Sequence, residues 1–448
     1  MLPTLTIVVA LGLALALIAL RVPIAYALLL GATIGLIGIY GWHPGEAPDL
    51  EAALRPMMSV LADVPFRFAH SYELSTIPLY ILLGTIAHRA GITTDVFGAM
   101  RVLLGRLPGG LAIACIFGCG GFSALSGSSL ACAAAMGRIS VPEMIDNGYD
   151  RRLATGTVAM GGTVGSMIPP SIPFLLFAIL AEQSVGKLLL AGILPGLLTL
   201  LGYVITVQIW VLLRPAAAPA RRQRAQAREK LEAIVRLWPA ALLFMIIAVG
   251  IFTGLFTTIQ AAAISVIVAT LIGVFRRLLS LRALYEALQD GALQSAQLFA
   301  MAFGAKVLIT LVAASGLSAS LVDWASAAGF GRWEMMLMIV FILLIMGMFL
   351  DPTGILLLMV PITLPLVQEL GFDLIWYAVI VVKMLEIGLV TPPMGLNAFM
   401  VKASVPASHP VELKDVFAGI APFLALEVVV VALLLAVPAI SLLIPSLM

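Results

Sequence analysis

The sequence predicts an all-α polytopic membrane protein built from two inverted-topology repeats, each with a re-entrant helical hairpin and a broken helix. Three observations carry this. Of the 448 residues, 62% are hydrophobic and 11% charged, with a mean hydropathy of +1.13. A soluble domain runs near 45–50% apolar and about 25% charged, so a water-soluble enzyme, a disordered chain and a fibrous one are excluded. Apolar runs reach the roughly 17–25 residues needed to cross about 30 Å of hydrocarbon. The chain also matches itself when slid by about half its length: Pro142 meets Pro365, Gly148 meets Gly371, Asp150 meets Asp373, and Pro169-Pro170 meets Pro392-Pro393.

In chain order, the first apolar run (3–20) has no positive segment before it and Arg21 after it, so it reads as a membrane helix rather than a cleaved signal. Further spans are expected at 22–40, 74–89, 152–180, 187–213, 239–256, 259–275, 296–314, 374–403 and 415–446. Segments 49–72, 92–106 and 278–294 mix apolar and charged residues at helical spacing and read as surface helices or connecting arms. Regions 108–145 and 334–370 are interrupted near their middles, by Gly120–Ser129 and by Gly347–Gly354. Broken backbone at membrane depth is tolerated only under protein or beside a watery cavity, so both regions read as re-entrant hairpins.

The domain organisation expected is a first repeat over 1–213, a linker over 214–238 and a second repeat over 239–448. The linker carries Arg214, Arg221, Arg222, Arg224, Arg228, Lys230 and Arg236 against Glu229 and Glu232. Positive charge in a short loop marks the cytoplasmic side, and this topology accounts for the basic run without a nucleic-acid partner. With the N-terminus outside, only Arg55, Arg67, Lys187 and Arg332 fall outside, and Lys306 and Lys383 lie in spans. The other 19 of the 25 Lys and Arg residues fall inside. Both termini are then expected in the periplasm of a diderm bacterium.

Five crossings per half is an odd number, so the second half starts on the opposite side and runs inverted. Inverted repeats with discontinuous helices are the architecture of secondary transporters. The Pro-Pro pairs interrupt 152–180 and 374–403. Two consecutive prolines remove two backbone donors and bend the preceding residue away from helical geometry, leaving carbonyls unpaired. With neighbouring hydroxyls these make an oxygen cage suited to a small hard cation; the alternative is a simple kink. One expected Na⁺ cage combines tip one (Ser123, Ser126, Gly127 and Ser128) with the break at Thr163, Gly165 and Pro169. The other combines tip two (Gly347, Asp351 and Thr353) with the break at Glu386, Gly388, Thr391, Pro392 and Asn397.

Competing chemistries lack their partners. A serine nucleophile at Ser126 or Ser128 needs a histidine base at membrane depth, and His43, His70, His88 and His409 sit in loops or at helix ends. Asp351 has no acidic partner at its tip for an aspartyl protease. Cys115, Cys119 and Cys132 read as small packing residues. No catalytic residue and no cofactor beyond a coupling ion is expected. Among intramembrane charges, Lys383 and Glu386 stand three apart and can pair on one helix face; Lys306 and Glu427 are given no place in a site. The residues themselves reach a sodium- or proton-coupled inverted-repeat transporter.

Gly127-Ser128-Ser129, Val141-Pro142-Glu143-Met144, Asn147–Arg152, Gly161–Pro173, Ala181–Ser184, Gly192–Gly196 and Leu385–Asn397 resemble the large membrane subunit (M or DctM type) of TRAP, tripartite ATP-independent periplasmic, transporters. The resemblance implies a multi-pass protein of the bacterial inner membrane that moves as an elevator. It implies sodium-coupled import of an organic acid, such as a C4-dicarboxylate, keto acid or sugar acid, delivered by a periplasmic binding protein. A small four-helix membrane subunit is the implied partner, and Na⁺ is implied at the two clusters above. The alternative is a stand-alone sodium/carboxylate carrier of related fold.

Overall fold

The computed structural model describes the backbone of residues 2–42, 49–219 and 226–448, and their side chains except at 2–4, 125 and 126. The Ser126 side chain, His43, and linker residues Arg221, Arg222 and Arg224 lie outside the described residues. Every regular element among those described is helical. Apolar sequence has that outcome in lipid, where each backbone donor and acceptor must find its partner within the segment.

Helices α1 (Leu2–Ala19) and α2 (Ile24–Gly41) form an antiparallel pair, and α3 (Leu50–Ala69) packs on α2. The Asp49 carboxylate accepts from Ala52 N–H at 3.0 Å to start α3. Next come α4 (Thr76–Arg89) and α5 (Ile92–Leu104), then hairpin one, α6 (Gly110–Ser126) and α7 (Ser129–Asp146). Helix α8 (Arg151–Gly165) breaks before α9 (Ile172–Ala181), and α10 (Val185–Ala191) and α11 (Ile193–Leu213) close the first half. The described end of the linker is helical: α12 (Ala227–Arg236) runs through α13 (Trp238–Phe244), a π turn (Met245–Val249) and α14 (Gly250–Phe252) as one rod.

Helix α15 (Thr258–Phe275) precedes α16 (Leu281–Ser315). Here the structure differs from the expectation of a surface segment at 278–294 followed by a separate span. The helix is continuous for 35 residues, because no proline lies within it and its first turns are anchored laterally by ion pairs. Then follow α17 (Leu317–Ala327) and hairpin two, α18 (Arg332–Gly347) and α19 (Pro352–Glu369). Helix α20 (Leu374–Gly388) breaks before α21 (Leu396–Ser404), and α22 (Leu413–Ala436) and α23 (Ala439–Ser446) end the chain. Both Pro169-Pro170 and Pro392-Pro393 are cis.

Seven helices among the described residues are long and apolar enough to cross a membrane. Large apolar side chains face outward along them, among them Leu201, Leu212, Leu271, Phe275 and Val428, as a lipid-facing surface requires. Apart from the buried Lys383–Glu427 pair and a 3.7 Å approach of Arg152 to Asp415, the long-range ion pairs among the described residues fall into two sets. Arg89 holds Glu286 (2.9 Å) and Asp290 (2.7 Å), Arg276 holds Asp95, and Arg101 holds Glu143 (2.8 Å). His409 lies 2.9 Å from Asp146, beside this first set. The second set joins α9 to α16 through Glu182 and Lys306 at 2.8 Å. One apolar core surrounds α2, α4, α9, α16, α19 and α20, and a second surrounds α6, α7, α8, α11 and α22.

Candidate functional site: hairpin tips against broken helices

Helix α6 is capped by Gly127, whose φ of +66° admits the reversal into α7. Ser128 then caps α7 by accepting from Ala131 N–H at 3.2 Å. Tip one is pressed against the end of α8: a Cβ on Gly165 would stand 2.2 Å from the Ser123 Cβ and 2.4 Å from the Ala124 nitrogen. Only glycine permits this approach. Ser123 is fully buried, and its Oγ has no hydrogen-bond partner among the described residues.

Tip two repeats the contact. A Cβ on Gly388, at the end of α20, would stand 2.4 Å from Gly347 Cα at the end of α18. Ser123 and Gly347 are 224 positions apart, and Gly165 and Gly388 are 223 apart. Asp351 occupies the cap position of α19 as Ser128 does that of α7, and its carboxylate accepts from Gly354 N–H at 3.0 Å. Thr353 lies in the first turn of α19, half-buried.

The Pro-Pro segments leave distinctive side-chain bonds. After Gly165, the Ser171 hydroxyl donates to the Ser166 carbonyl and caps α9. After Gly388, the Thr391 hydroxyl donates to the Ile387 carbonyl at 2.6 Å. Asn397 Nδ2 crosses to the Ala159 carbonyl of α8 at 3.2 Å, while its Oδ1 is buried without a partner among the described residues. Each break therefore presents one orphaned buried oxygen nearby, Ser123 Oγ or Asn397 Oδ1, of the hard type that suits Na⁺.

The structure divides the remaining expected residues differently. Glu386 turns away from tip two and accepts from Ser129 Oγ of hairpin one at 2.6 Å, and Ser129 Oγ lies 2.9 Å from Ser166 Oγ. Thr163 joins another network: its hydroxyl donates to the Met160 carbonyl at 2.7 Å and meets Tyr203 OH at 3.0 Å. Tyr203 OH donates to Glu427, which also accepts from Lys383 Nζ at 2.8 Å. Lys383 further donates to Thr199 Oγ1 at 2.8 Å. The expected Lys383–Glu386 pair is thus corrected. Lys383 reaches across to α22, where Glu427 is buried with Lys383 as its counter-ion, whereas Glu386 accepts from Ser129 of hairpin one.

Sequence reasoning gave no role to Ser166 or Tyr203 and left Glu427 unplaced. Ser166 stood beside the Gly165 break and was within reach of that signal. Tyr203 had no signal, being one aromatic in an apolar helix. A cleft of about 600 Å³ opens elsewhere, between α3, α9 and α16, lined by Asp63, Arg67, Glu182, Lys306 and Thr310.

The sequence matches the family described as "Tripartite ATP-independent periplasmic transporter, DctM component" over residues 11–440. It is 34% identical over 383 residues to the C4-dicarboxylate TRAP transporter large permease protein DctM of Pseudomonas aeruginosa, covering 85% of this chain and 88% of the relative. It is 30% identical to the sialic acid TRAP transporter large permease protein SiaM of Vibrio cholerae, covering 84% and 87%. The fold is similar to that of the YdaH transporter of Alcanivorax borkumensis, with a TM-score of 0.65 at 15% identity over 98% of both chains. On the match that runs through both hairpins and both broken helices, the chain belongs to the DctM component family of tripartite ATP-independent periplasmic transporters.

Proposed function

We propose that this chain is the permease subunit of a sodium-coupled importer of an organic acid, working by elevator-type alternating access between two inverted repeats. The observation that carries the reading is the doubled contact of Gly165 on Ser123 and Gly388 on Gly347. Each places a hairpin tip against a broken helix, with an orphaned oxygen at Ser123 or Asn397 nearby. Repeats over 1–213 and 239–448, joined by the linker 214–238, account for this duplication.

Glu386 and Asn397 tie the second half to the first through Ser129 and Ala159, which favours one transport body built from both hairpins and both breaks. The cleft beside Glu182 and Lys306 lies where that body meets α3 and α16. Relatives named for C4-dicarboxylate and for sialic acid both carry acids, which supports a carboxylate cargo. A tripartite family supports two partners: a small membrane subunit and a periplasmic binding protein. The basic residues favour an inner-membrane topology with both termini periplasmic and the linker cytoplasmic. The segregation of ion pairs agrees with that sidedness, since α3, Glu182 and Lys306 share one face.

The test is uptake into proteoliposomes containing the chain and its small subunit, with purified binding protein, a panel of radiolabelled organic acids and an inward Na⁺ gradient. Saturable uptake of one acid that needs both the gradient and the binding protein is the expected result. Uptake independent of the binding protein makes the chain a stand-alone carrier, and uptake indifferent to Na⁺ removes the cage assignment.

A further inference from the structure

A second cavity of about 630 Å³ is a groove between α11 and α22, remote from the hairpin tips. Its form follows from spacing. Helix α22 turns Ala418, Ala421 and Ala425 to one side, small residues three, four and seven apart that leave a trough along the helix. Helix α11 lines the trough with Ile205, Ile209 and Leu213, one turn apart. The α11 wall from Ile205 to Arg214 rises about 14 Å at 1.5 Å per residue, close to one leaflet of an about 30 Å hydrocarbon layer.

The groove is apolar along its length and basic at one end. Arg214 continues the α11 row of Thr206 and Trp210 to the mouth, where Arg152 at the start of α8 meets it. Arg214 is exposed and has no ion-pair partner among the described residues. Arg152 is half exposed, and its guanidinium approaches Asp415 only to 3.7 Å, long for a charge-assisted bond, while the Asp150 carboxylate is taken by the Arg152 backbone N–H at 2.7 Å. Among the described residues, no acidic side chain lines the groove. An apolar trough one leaflet deep, capped by two arginines and a tryptophan, has the charge and shape of a phospholipid with an anionic headgroup.

We infer that this groove is a binding site for one anionic phospholipid, its phosphate held by Arg152 and Arg214 and an acyl chain laid against the alanines of α22. The occupant sits on the lipid-facing side of α11 and α22. These helices also carry Tyr203 and Glu427, the partners of Thr163 and Lys383, so the lipid would support the frame behind the first broken helix. The site requires only that the chain lies in a bilayer and stands apart from the sodium reading.

The experiment is native mass spectrometry of the full chain in detergent with equimolar phosphatidylglycerol and phosphatidylcholine of identical acyl chains. One phosphatidylglycerol is expected to be retained with roughly tenfold preference, from two arginines near the headgroup. The preference is lost in R152Q/R214Q, and all retention is lost in Ala421→Trp, which fills the trough and leaves both arginines. The variants act on different elements, so either one that elutes as a single species decides the question. Inorganic phosphate in excess does not compete. Equal retention of both lipids, an unchanged preference in R152Q/R214Q, or displacement by inorganic phosphate overturns the inference. So does an Ala421→Trp chain that keeps its lipid and instead loses a co-purifying protein subunit.

Discussion

Lys383 Nζ stands 2.7 Å from a carboxylate oxygen of Glu427, 44 residues away on α22, with both side chains almost wholly buried. The pair clamps α20 to α22 and, through Tyr203, to α11 and Thr163 of α8. Removing one partner leaves the other charge buried and uncompensated, at a cost of about 3–5 kcal/mol, whereas replacing both by apolar groups avoids that penalty. Lys383→Met is therefore expected to lower the thermal stability of the detergent-purified chain markedly, and K383M/E427L to restore much of it. Equal melting temperatures for the single and double variants would contradict the clamp.

Gly165 and Gly388 tolerate no side chain where the hairpin tips press on them. Overpacking costs about 1–3 kcal/mol, which at about 1.4 kcal/mol per tenfold is roughly a fivefold to hundredfold loss in a conformational equilibrium. Gly165→Ala and Gly388→Ala are expected to reduce sodium-driven uptake at least about fivefold while membrane insertion stays normal. Gly98→Ala, where an added Cβ meets nothing within 4 Å, is expected to transport like the wild type. Uptake assays on inside-positioned vesicles with matched expression compare the three.

Ser123 Oγ at tip one and Asn397 Oδ1 at the second break are buried oxygens without a partner among the described residues. Losing one hydrogen-bond-strength ligand is worth about 1 kcal/mol, so Ser123→Ala and Asn397→Ala are each expected to raise the half-saturating Na⁺ concentration about fivefold. Acid affinity for the binding protein should not move. An unaltered Na⁺ dependence in both variants would remove these atoms from the cages. A bulky residue at Thr391, whose hydroxyl is committed to the Ile387 carbonyl, is expected to abolish uptake outright.

Glu182 is held below the ordinary carboxylate range by its hydrogen bond to Lys306, with the charge of Lys306 adding to it. A lowered folded-state pKa means the pair's contribution is full above the ordinary glutamate value and is lost as the pH falls through the lowered one. Because Glu182 is 83% exposed, that contribution is only a few tenths of a kcal/mol. Glu182→Gln is expected to melt slightly below the wild type at neutral pH and to converge with it in acid. A constant difference across the pH series would assign the effect to something other than the ion pair.

Topology is checked with single cysteines in a background lacking Cys115, Cys119 and Cys132. A cysteine at Arg67 is expected to react with an impermeant maleimide in intact spheroplasts, and one at Arg228 only after permeabilisation. The reverse pattern would invert the orientation.

Much of the fold was legible because membrane helices declare themselves by length and polarity, and because proline and glycine mark discontinuities in a chain that is otherwise uniformly apolar. Pro169-Pro170, Pro392-Pro393, Gly127 and Gly347 all stand at breaks or tips. The continuity of α16 was hidden, since the charged turns at Glu286 and Asp290 look like a surface segment until Arg89 is placed beside them. Glu386 was read with its own half because local spacing cannot show which neighbour a buried side chain faces.

The sequence by itself determined a helical membrane protein, where its hairpins turn and where its helices break. Those features depend on composition, run length and backbone chemistry, which are local. Only the tertiary structure decided the partners: Lys383 with Glu427, Glu386 with Ser129, Asn397 with Ala159, and Gly165 against Ser123. Each joins segments far apart in the chain. In an interior with no water to satisfy a stray polar group, the choice of partner follows from which helices pack together.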